Sequence, residues 1–151
     1  GGSALTSKTL PGRMYTFFYD PKTKRDLPYY DRFPLIFKIK NIDGGFLGIN
    51  MHYLPPQLRA RLMDALYPLV TNRKYDETTR LRLTYDILNG ATKYRFFKPT
   101  IKKYLNSHVR SRYVLINANQ WDMALFLPTE RFVKKNKNFV WRESRRAIRR
   151  R

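Results

Sequence analysis

The chain has 151 residues, of which 42% are hydrophobic and 15% aromatic, enough for one domain with a buried core and too apolar for a disordered polycation. It carries 31 Lys and Arg against 11 Asp and Glu, a formal net charge of +20 that attracts polyanions. It has no cysteine, which excludes disulfides and thiolate metal sites, and no apolar run of membrane-spanning length. Nucleic acid is the first partner to consider, followed by an anionic membrane surface and an acidic protein.

The N-terminal third predicts strands. Residues 1–12 are rich in Gly, Ser, Thr and Pro, which predicts a flexible arm ahead of a single globular domain over 13–130. Aromatic and β-branched residues predict strands over 13–19 and 35–40, joined by a proline-punctuated loop. The sequence NIDGG then predicts a tight hairpin turn and a returning strand over 46–54. Such short connections favour a small, strongly bent antiparallel sheet, of which an SH3-like barrel is one form.

In the middle of the chain the apolar period changes. Leucines three and four residues apart, following a Pro-Pro pair, predict an amphipathic helix over 57–70. A second helix is predicted over 77–88, ended by an Asn-Gly pair, and a third over 97–109, with a proline in its first turn. Residues 111–117 and 123–128 are predicted to be closing strands. The predicted fold class is therefore α+β, with the bent sheet packed against two or three helices.

The last 21 residues, 131–151, form a basic C-terminal tail or helix. They contain ten Lys and Arg and a single acid, Glu143, an excess that ordinary solubility does not explain. Smaller basic clusters lie along the rest of the chain. The candidate phosphate contacts of a bound DNA are Lys22, Lys24, Arg25, Lys38, Lys40, Lys93, Arg95, Lys102, Lys103, Arg110, Arg112, Lys134, Lys135, Lys137, Arg142, Arg145, Arg146, Arg149, Arg150 and Arg151. Because no base-reading motif is present, we expect binding to the backbone with little sequence preference.

Enzyme interpretations find less support. A metal-dependent nuclease needs two or three carboxylates around Mg²⁺, and the only cluster is Asp20, Asp26 and Asp31. Each of these lies at a turn, where a carboxylate accepts backbone N–H groups. His52 and His108 lie in segments with an ordinary structural role, and no glycine-rich phosphate loop is present. We predict no catalytic residue, no metal and no cofactor, and keep a degenerate nuclease at the three aspartates as an alternative.

Four strings, in order, resemble a phage family: GRMYTFFYDPKTKRDLPYYDRFPLIF, GGFLGINMHYLPPQLRARLMDAL, KKYLNSHVRSRYVLI and WDMALFLPTERF. They are similar to virion proteins of T4-like tailed phages, marine myoviruses included, that are identified as DNA end protectors or head-completion proteins. The resemblance covers most of the chain and carries no catalytic motif.

The resemblance implies a non-enzymatic virion protein, made in the host bacterial cytoplasm, that binds and protects the ends of packaged double-stranded DNA during head completion and injection. Its other implied partners are virion proteins of the portal, neck or tail, with a homo-oligomer or ring as one arrangement and no membrane. The alternative is a structural neck, tail or baseplate subunit whose basic arm and tail dock onto acidic neighbours.

Overall fold

The structure, a computed structural model, describes residues 4–91 and 95–149. Its strands are β1 (Ala4–Thr6), β2 (Met14–Thr16), β3 (Tyr30–Asp31), β4 (Leu35–Ile42), β5 (Gly45–Asn50), β6 (Ile101–Leu105), β7 (Tyr113–Ile116) and β8 (Phe132–Val133). Its α-helices are α1 (Pro56–Thr71), α2 (Glu77–Ala91), α3 (Trp121–Phe126) and α4 (Lys137–Arg149). Short 3₁₀ helices lie at Met51–Tyr53, Arg95–Thr100, Asn106–His108 and Ala118–Gln120.

Six strands form an antiparallel sheet in the order β1–β7–β2–β4–β5–β6, and β3 pairs with β8 in a separate two-stranded sheet. The predicted α+β class with an antiparallel sheet is confirmed. In the described ranges the larger sheet is open, with β1 and β6 at its edges, so it is not a closed barrel. The first described residues, within the predicted arm, form β1 and pair with β7. The division into arm, domain and tail stays a prediction.

The hairpin predicted from NIDGG is confirmed. Ile42 pairs with Gly45 across a turn in which Gly44 has φ +73°, a conformation that glycine adopts without a steric penalty. Gly45 is required for a different reason. A Cβ at this position would lie 1.9 Å from the carbonyl oxygen of Tyr104, so β5 and β6 can pair here only because residue 45 has no side chain.

The two faces of the large sheet bury different kinds of residue. One face, with Phe37 and Ile49, packs with Leu62 and Leu66 of α1 and with Trp121 of α3. The other face buries a cluster made mostly of aromatic rings: Tyr15, Phe17, Tyr19, Ile36, Phe46 and Tyr104. Because successive side chains of a strand point to opposite faces, β2 and β4 contribute to both cores.

The helix predicted over 97–109 is wrong. The segment forms the 3₁₀ helix Arg95–Thr100, then β6, and then a second 3₁₀ turn. Phe97, Ile101, Tyr104 and Leu105 do recur at helical spacing, which explains the prediction. Backbone pairing of β6 with β5, over five residue pairs from Gly45↔Leu105 to Ile49↔Ile101, overrides that local pattern.

The strand predicted over 123–128 is also wrong, since Trp121–Phe126 form α3. The apolar run MALF suggested a buried strand, but Met123 and Phe126 are 65% and 50% exposed while Trp121 and Leu125, four residues apart, are buried. Helix α2 also continues through the predicted Asn-Gly stop to Ala91. No helix of the described ranges is both long and apolar enough to cross a membrane.

Candidate nucleic-acid interface

Helix α4 is fixed to the body of the protein along one side. Asn136 caps its N-terminus, because its side-chain oxygen accepts a hydrogen bond from Phe139 N at 2.9 Å. Val140 and Ser144 are buried, one helical turn apart. The indole Nε1 of Trp141 donates to the carbonyl oxygen of His52 at 2.8 Å. The basic segment is therefore a docked helix over 137–149.

The opposite side of α4 presents a row of arginines. Arg142, Arg145, Arg146 and Arg149 are all exposed, and their spacing of three and four residues puts them on one face. Among the described residues, Arg146 pairs with Glu143 at 3.1 Å, and the other three enter no ion pair. We call these four residues the arginine face. Guanidinium groups present several donors in a planar fork that matches phosphate geometry.

A cavity of about 340 Å³ lies beside this helix, between the loop that precedes β3 and the edge strand β6. We call it the tyrosine cavity; its lining residues are Tyr19, Pro21, Lys22, Thr23, Leu27, Tyr29, Tyr30, Asp31, Tyr53, Lys102, Lys103, Tyr104 and Leu105. The rings of Tyr29 and Tyr53 have centroids 6.2 Å apart and planes tilted by 35°. The cavity therefore combines aromatic walls with three lysines.

Lys102 is the least solvated of these lysines. Its Nζ lies 4.0 Å from the centroid of the Tyr53 ring, a cation–π contact. Burial lowers the pKa of the Lys102 ammonium to about 8, because desolvation disfavours the charged form. Tyr29, Tyr53 and Lys102 also line a second space, of about 260 Å³, together with Arg146 of α4. The arginine face and the tyrosine cavity are thus neighbours.

Lys134 is hydrogen-bonded to the loop over 21–27, which lines the tyrosine cavity and which we call the cavity loop. Its Nζ donates to the carbonyl oxygens of Lys24, Arg25 and Leu27 at 2.7, 3.2 and 2.6 Å. Its backbone has φ +76°, a left-handed conformation that is unusual for a residue with a side chain. Leu27 lines the tyrosine cavity, so this predicted phosphate contact instead positions one wall of the cavity.

Asp31 and His52 form a buried polar network beneath the cavity. Nδ1 of His52 lies 2.7 Å from Oδ2 of Asp31 and donates to it, and Nε2 lies 3.0 Å from Oγ1 of Thr129. Asp31 also accepts from the side chain of Asn50 and from Phe33 N, both at 3.0 Å, and from Arg131 N at 3.1 Å.

Burial raises the pKa of the Asp31 carboxyl, but hydrogen bonds from His52 and Asn50 and the charge interaction with His52 outweigh it, and the net pKa is lowered. Asp31, His52 and Thr129 are hydrogen-bonded in the order of a hydrolase triad, and the histidine is 0% exposed. These residues join three parts of the chain as a structural network.

The other two aspartates do not join this network. Asp20 pairs with Lys24 at 2.9 Å and with Arg110 at 3.7 Å, and Asp26 is exposed. The predicted role of turn acceptor holds for Asp31, through Phe33 N, whereas Asp20 acts mainly as an ion-pair partner. Within residues 4–91 and 95–149, no three His, Cys, Asp or Glu side chains gather as a metal site.

The remaining predicted contacts are dispersed. Lys38 was predicted to face outward with Lys40, and this is wrong: Lys38 is 3% exposed, and its Nζ donates to Oγ1 of Thr9 at 2.6 Å. The predicted alternation holds, since Phe37 and Ile39 lie in one core, but Lys38 lies on the other face, over the Phe46 ring of the aromatic core. The other described candidates, Lys22, Lys24, Arg25, Lys40, Arg95, Lys103, Arg110, Arg112, Lys135 and Lys137, are exposed. Lys93, Arg150 and Arg151 lie outside the described residues.

Sequence reasoning missed Tyr29 and Tyr53 of the cavity and a buried arginine. Arg59 donates from Nε to the carbonyl of Leu54 at 2.7 Å and from Nη1 to the carbonyl of Leu125, and its Nη2 lies 3.9 Å from Oε2 of Glu130. Burial lowers its pKa to about 10, against the opposing effect of Glu130. In the sequence, Arg59 is an ordinary polar position between helix leucines, and no local signal marks it.

Fold and surface together define a basic α+β protein with exposed cations on α4 and around the tyrosine cavity. The chain belongs to a bacteriophage family, that of the phage T4 terminal DNA protecting protein, whose family model matches residues 3–146. The phage resemblance seen in the sequence is therefore confirmed, and the protein is a phage protein of a DNA-end-protecting, virion-associated family. Comparisons with curated proteins and with solved structures gave no match.

Proposed function

We propose that this protein binds the ends of packaged double-stranded DNA through Lys and Arg contacts to phosphates, without catalysis, and shields them during head completion and injection. The observation that carries the proposal is the arginine face, a row of exposed guanidinium groups on a helix docked by Val140 and Trp141. Membership of the terminal DNA protecting family supports DNA ends as the target.

Because α4 is docked against the body, its positively charged residues are held in a fixed arrangement. A mobile polycation must be ordered when it binds, which costs conformational entropy, whereas α4 is already ordered against the body. Each phosphate that it neutralises releases condensed counterions, so affinity should fall steeply with salt. Lys22, Lys102 and Lys103 lie around the neighbouring cavity and extend the same positive surface.

The proposal is tested by removing charge from the arginine face. In the triple variant Arg142→Gln, Arg145→Gln and Arg149→Gln, the helix should persist, because glutamine is a good helix former. If all three groups contact phosphates, the slope of log K against log salt should become shallower by about 3. Protection of linear duplex from exonuclease should decline in parallel.

A matched control removes three charges elsewhere. Arg73, Lys74 and Arg82 are exposed, and none of them lines the tyrosine cavity, lies on α4 or is a candidate phosphate contact. Replacing all three by Gln changes the net charge equally and should leave the salt slope nearly unchanged. Equal losses in both variants would mean that only total charge matters, and no binding by the wild-type protein at low salt would reject the proposal.

A second candidate role is that of a structural subunit that docks onto a neighbouring virion protein of the portal, neck or tail. The observation that favours it is the exposure of Met123, Phe126 and Leu127, which are 65%, 50% and 46% exposed around the end of α3. This role predicts co-sedimentation with DNA-free phage particles that is lost in Met123→Ser with Phe126→Ser. End protection of free DNA should survive those changes. A ring or other homo-oligomer is tested by analytical ultracentrifugation of the same proteins.

A further inference from the structure

The tyrosine cavity has the chemistry of a nucleotide site. Tyr29 and Tyr30 are half-buried and present ring surface to the cavity, whereas Tyr53 and Tyr104 are buried and form its floor. Base–aromatic stacking tolerates every base, because every base has a π face. A volume of about 340 Å³ lies at the small end of the range for ligand pockets, which suits one nucleotide better than a helix or a strand.

Its charges favour a phosphate. Lys22, Lys102 and Lys103 all line it, and Asp31 is the one acidic residue in the lining. Asp31 does not cancel them at the surface, because it is 4% exposed and its oxygens accept hydrogen bonds from His52, Asn50, Phe33 and Arg131. The Lys102 ammonium lies against the ring face of Tyr53 and, within the described residues, forms no ion pair with a carboxylate. A phosphate entering the cavity would therefore be a strong partner for these amines.

We propose that the tyrosine cavity takes one unpaired terminal nucleotide of the DNA, with its base on Tyr29 and its phosphate beside Lys102. This inference rests on the proposed function and deepens it, since phosphate contacts along a duplex cannot distinguish an end from the middle. A base inside a duplex is stacked on both sides and must be flipped out to enter a cavity, whereas a frayed or overhanging terminal base costs far less to move. End preference follows from that difference.

The test compares DNA with and without a free terminal nucleotide. One DNA is a linear duplex with single-nucleotide overhangs, and a second, of equal sequence, is a covalently closed duplex circle without an unpaired base. We expect the wild-type protein to prefer the first by about 5- to 150-fold, the range that one base–aromatic stack supplies. A terminal 2-aminopurine should report unstacking from the duplex on binding.

Two substitutions remove the site, and each has a control of the same chemistry. Tyr29→Leu and Lys102→Met should abolish the preference, so that each variant binds the two DNAs with nearly equal affinity. Tyr75→Leu, at a half-buried tyrosine between α1 and α2, and Lys74→Met, at the exposed residue before it, should keep it, since neither residue lines the cavity. Retention of the full preference in both cavity variants would overturn the inference.

A measurement on the unmodified protein covers the case in which a variant fails to fold. Deoxynucleoside monophosphate added in excess should compete with the overhang duplex and leave binding to the closed duplex unchanged. Failure of this competition, with both DNAs still bound, would reject the cavity site and leave the phosphate-binding proposal standing. Failure of the wild-type protein to bind either DNA would reject the proposed function itself.

Discussion

The arginine face and the tyrosine cavity lie side by side, and in our proposals they bind DNA by different means. The arginine face has four exposed guanidinium groups on the surface of a helix, whereas the cavity has one half-buried amine, Lys102, and is lined by tyrosines. Exposed charge supplies affinity that salt removes, and a shaped site supplies selection. In our proposal, an end-binding protein needs both, and the comparison predicts how each can be disabled separately.

The largest effect should come from Asp31, because it lies beneath both regions. It lines the cavity and also accepts from Arg131 N, in the segment that leads into α4. Asp31→Asn places an amide against donors that need an acceptor, so we expect a loss of about 3 to 5 kcal/mol in the free energy of unfolding. Urea denaturation at pH 7 measures it, with Asp26→Asn, at an exposed aspartate of the same loop, as the control.

The same residue sets a pH dependence. Since the pKa of Asp31 is lowered in the folded state, its stabilising contribution is present above its unfolded pKa, about 3.9, and is lost as the pH falls through the folded value. The wild-type protein should lose stability in that acidic range, and Asp31→Asn should lose less. Parallel acid curves for the two proteins would contradict the lowered pKa.

A smaller loss is expected at the joint between α4 and the body. Trp141→Phe keeps an aromatic ring at this position but removes the indole N–H, so the carbonyl of His52 loses its hydrogen-bond donor. We expect a cost of about 1 to 2 kcal/mol, measured by thermal unfolding. Binding to closed duplex should weaken more than the overhang preference. If only the overhang preference changed, the proposal that the arginine face supplies affinity and the cavity supplies the preference would be wrong.

Comparing Lys134 with Lys135 distinguishes a lysine that is hydrogen-bonded to the cavity loop from an exposed lysine that is not. Lys134→Met removes three hydrogen bonds to the cavity loop and should cost about 1 kcal/mol of stability and reduce the overhang preference. Lys135, whose Nζ lies 4.7 Å from the Phe139 ring, should tolerate the same change. Limited proteolysis of the loop over 21–27 should be faster only in Lys134→Met.

The smallest effect should be a pH dependence confined to the cavity. With a pKa of about 8, Lys102 is charged at pH 7 and largely neutral at pH 9. Lys22, Lys103, Asp31, the cavity tyrosines and, from α4, Glu143 and Arg146 face the same region and are unchanged in Lys102→Met. The affinity advantage of wild type over Lys102→Met for the overhang duplex should therefore shrink by about threefold between these pH values. The advantage of wild type over the arginine-face triple variant should stay constant, since arginine remains charged.

The two regions also differ in how far sequence could predict them. The arginines of α4 were predicted as phosphate contacts because their charge excess is local to 131–151. The cavity was not predicted, because Tyr29, Tyr53 and Lys102 come from three distant segments that only the fold brings together. The wrong helix prediction over 97–109 also concealed the cavity, because Lys102 and Tyr104 line it as part of β6, the edge strand paired with β5.

Elements with strong local signals were predicted well. The β4–β5 hairpin has glycines at its turn, and α1 has leucines at a regular helical period, so local chemistry and tertiary packing agree there. Lys38 shows the opposite case: it lies on the strand face that alternation predicts, but that face is covered by the aromatic core and by Thr9. Whether another segment covers a strand face is information that the strand itself does not contain.

Gly45 is expected to tolerate no substitution. The position has no charge and touches no part of the arginine face, yet a single added methyl group would collide with the backbone of Tyr104 and separate β6 from β5. The strand that would move carries Lys102 and Tyr104. In a library randomised at every position and selected for end protection, residue 45 should be recovered as glycine alone. Gly44 is exposed and has open space around it, so only its positive φ restricts substitution, and asparagine should also be recovered there.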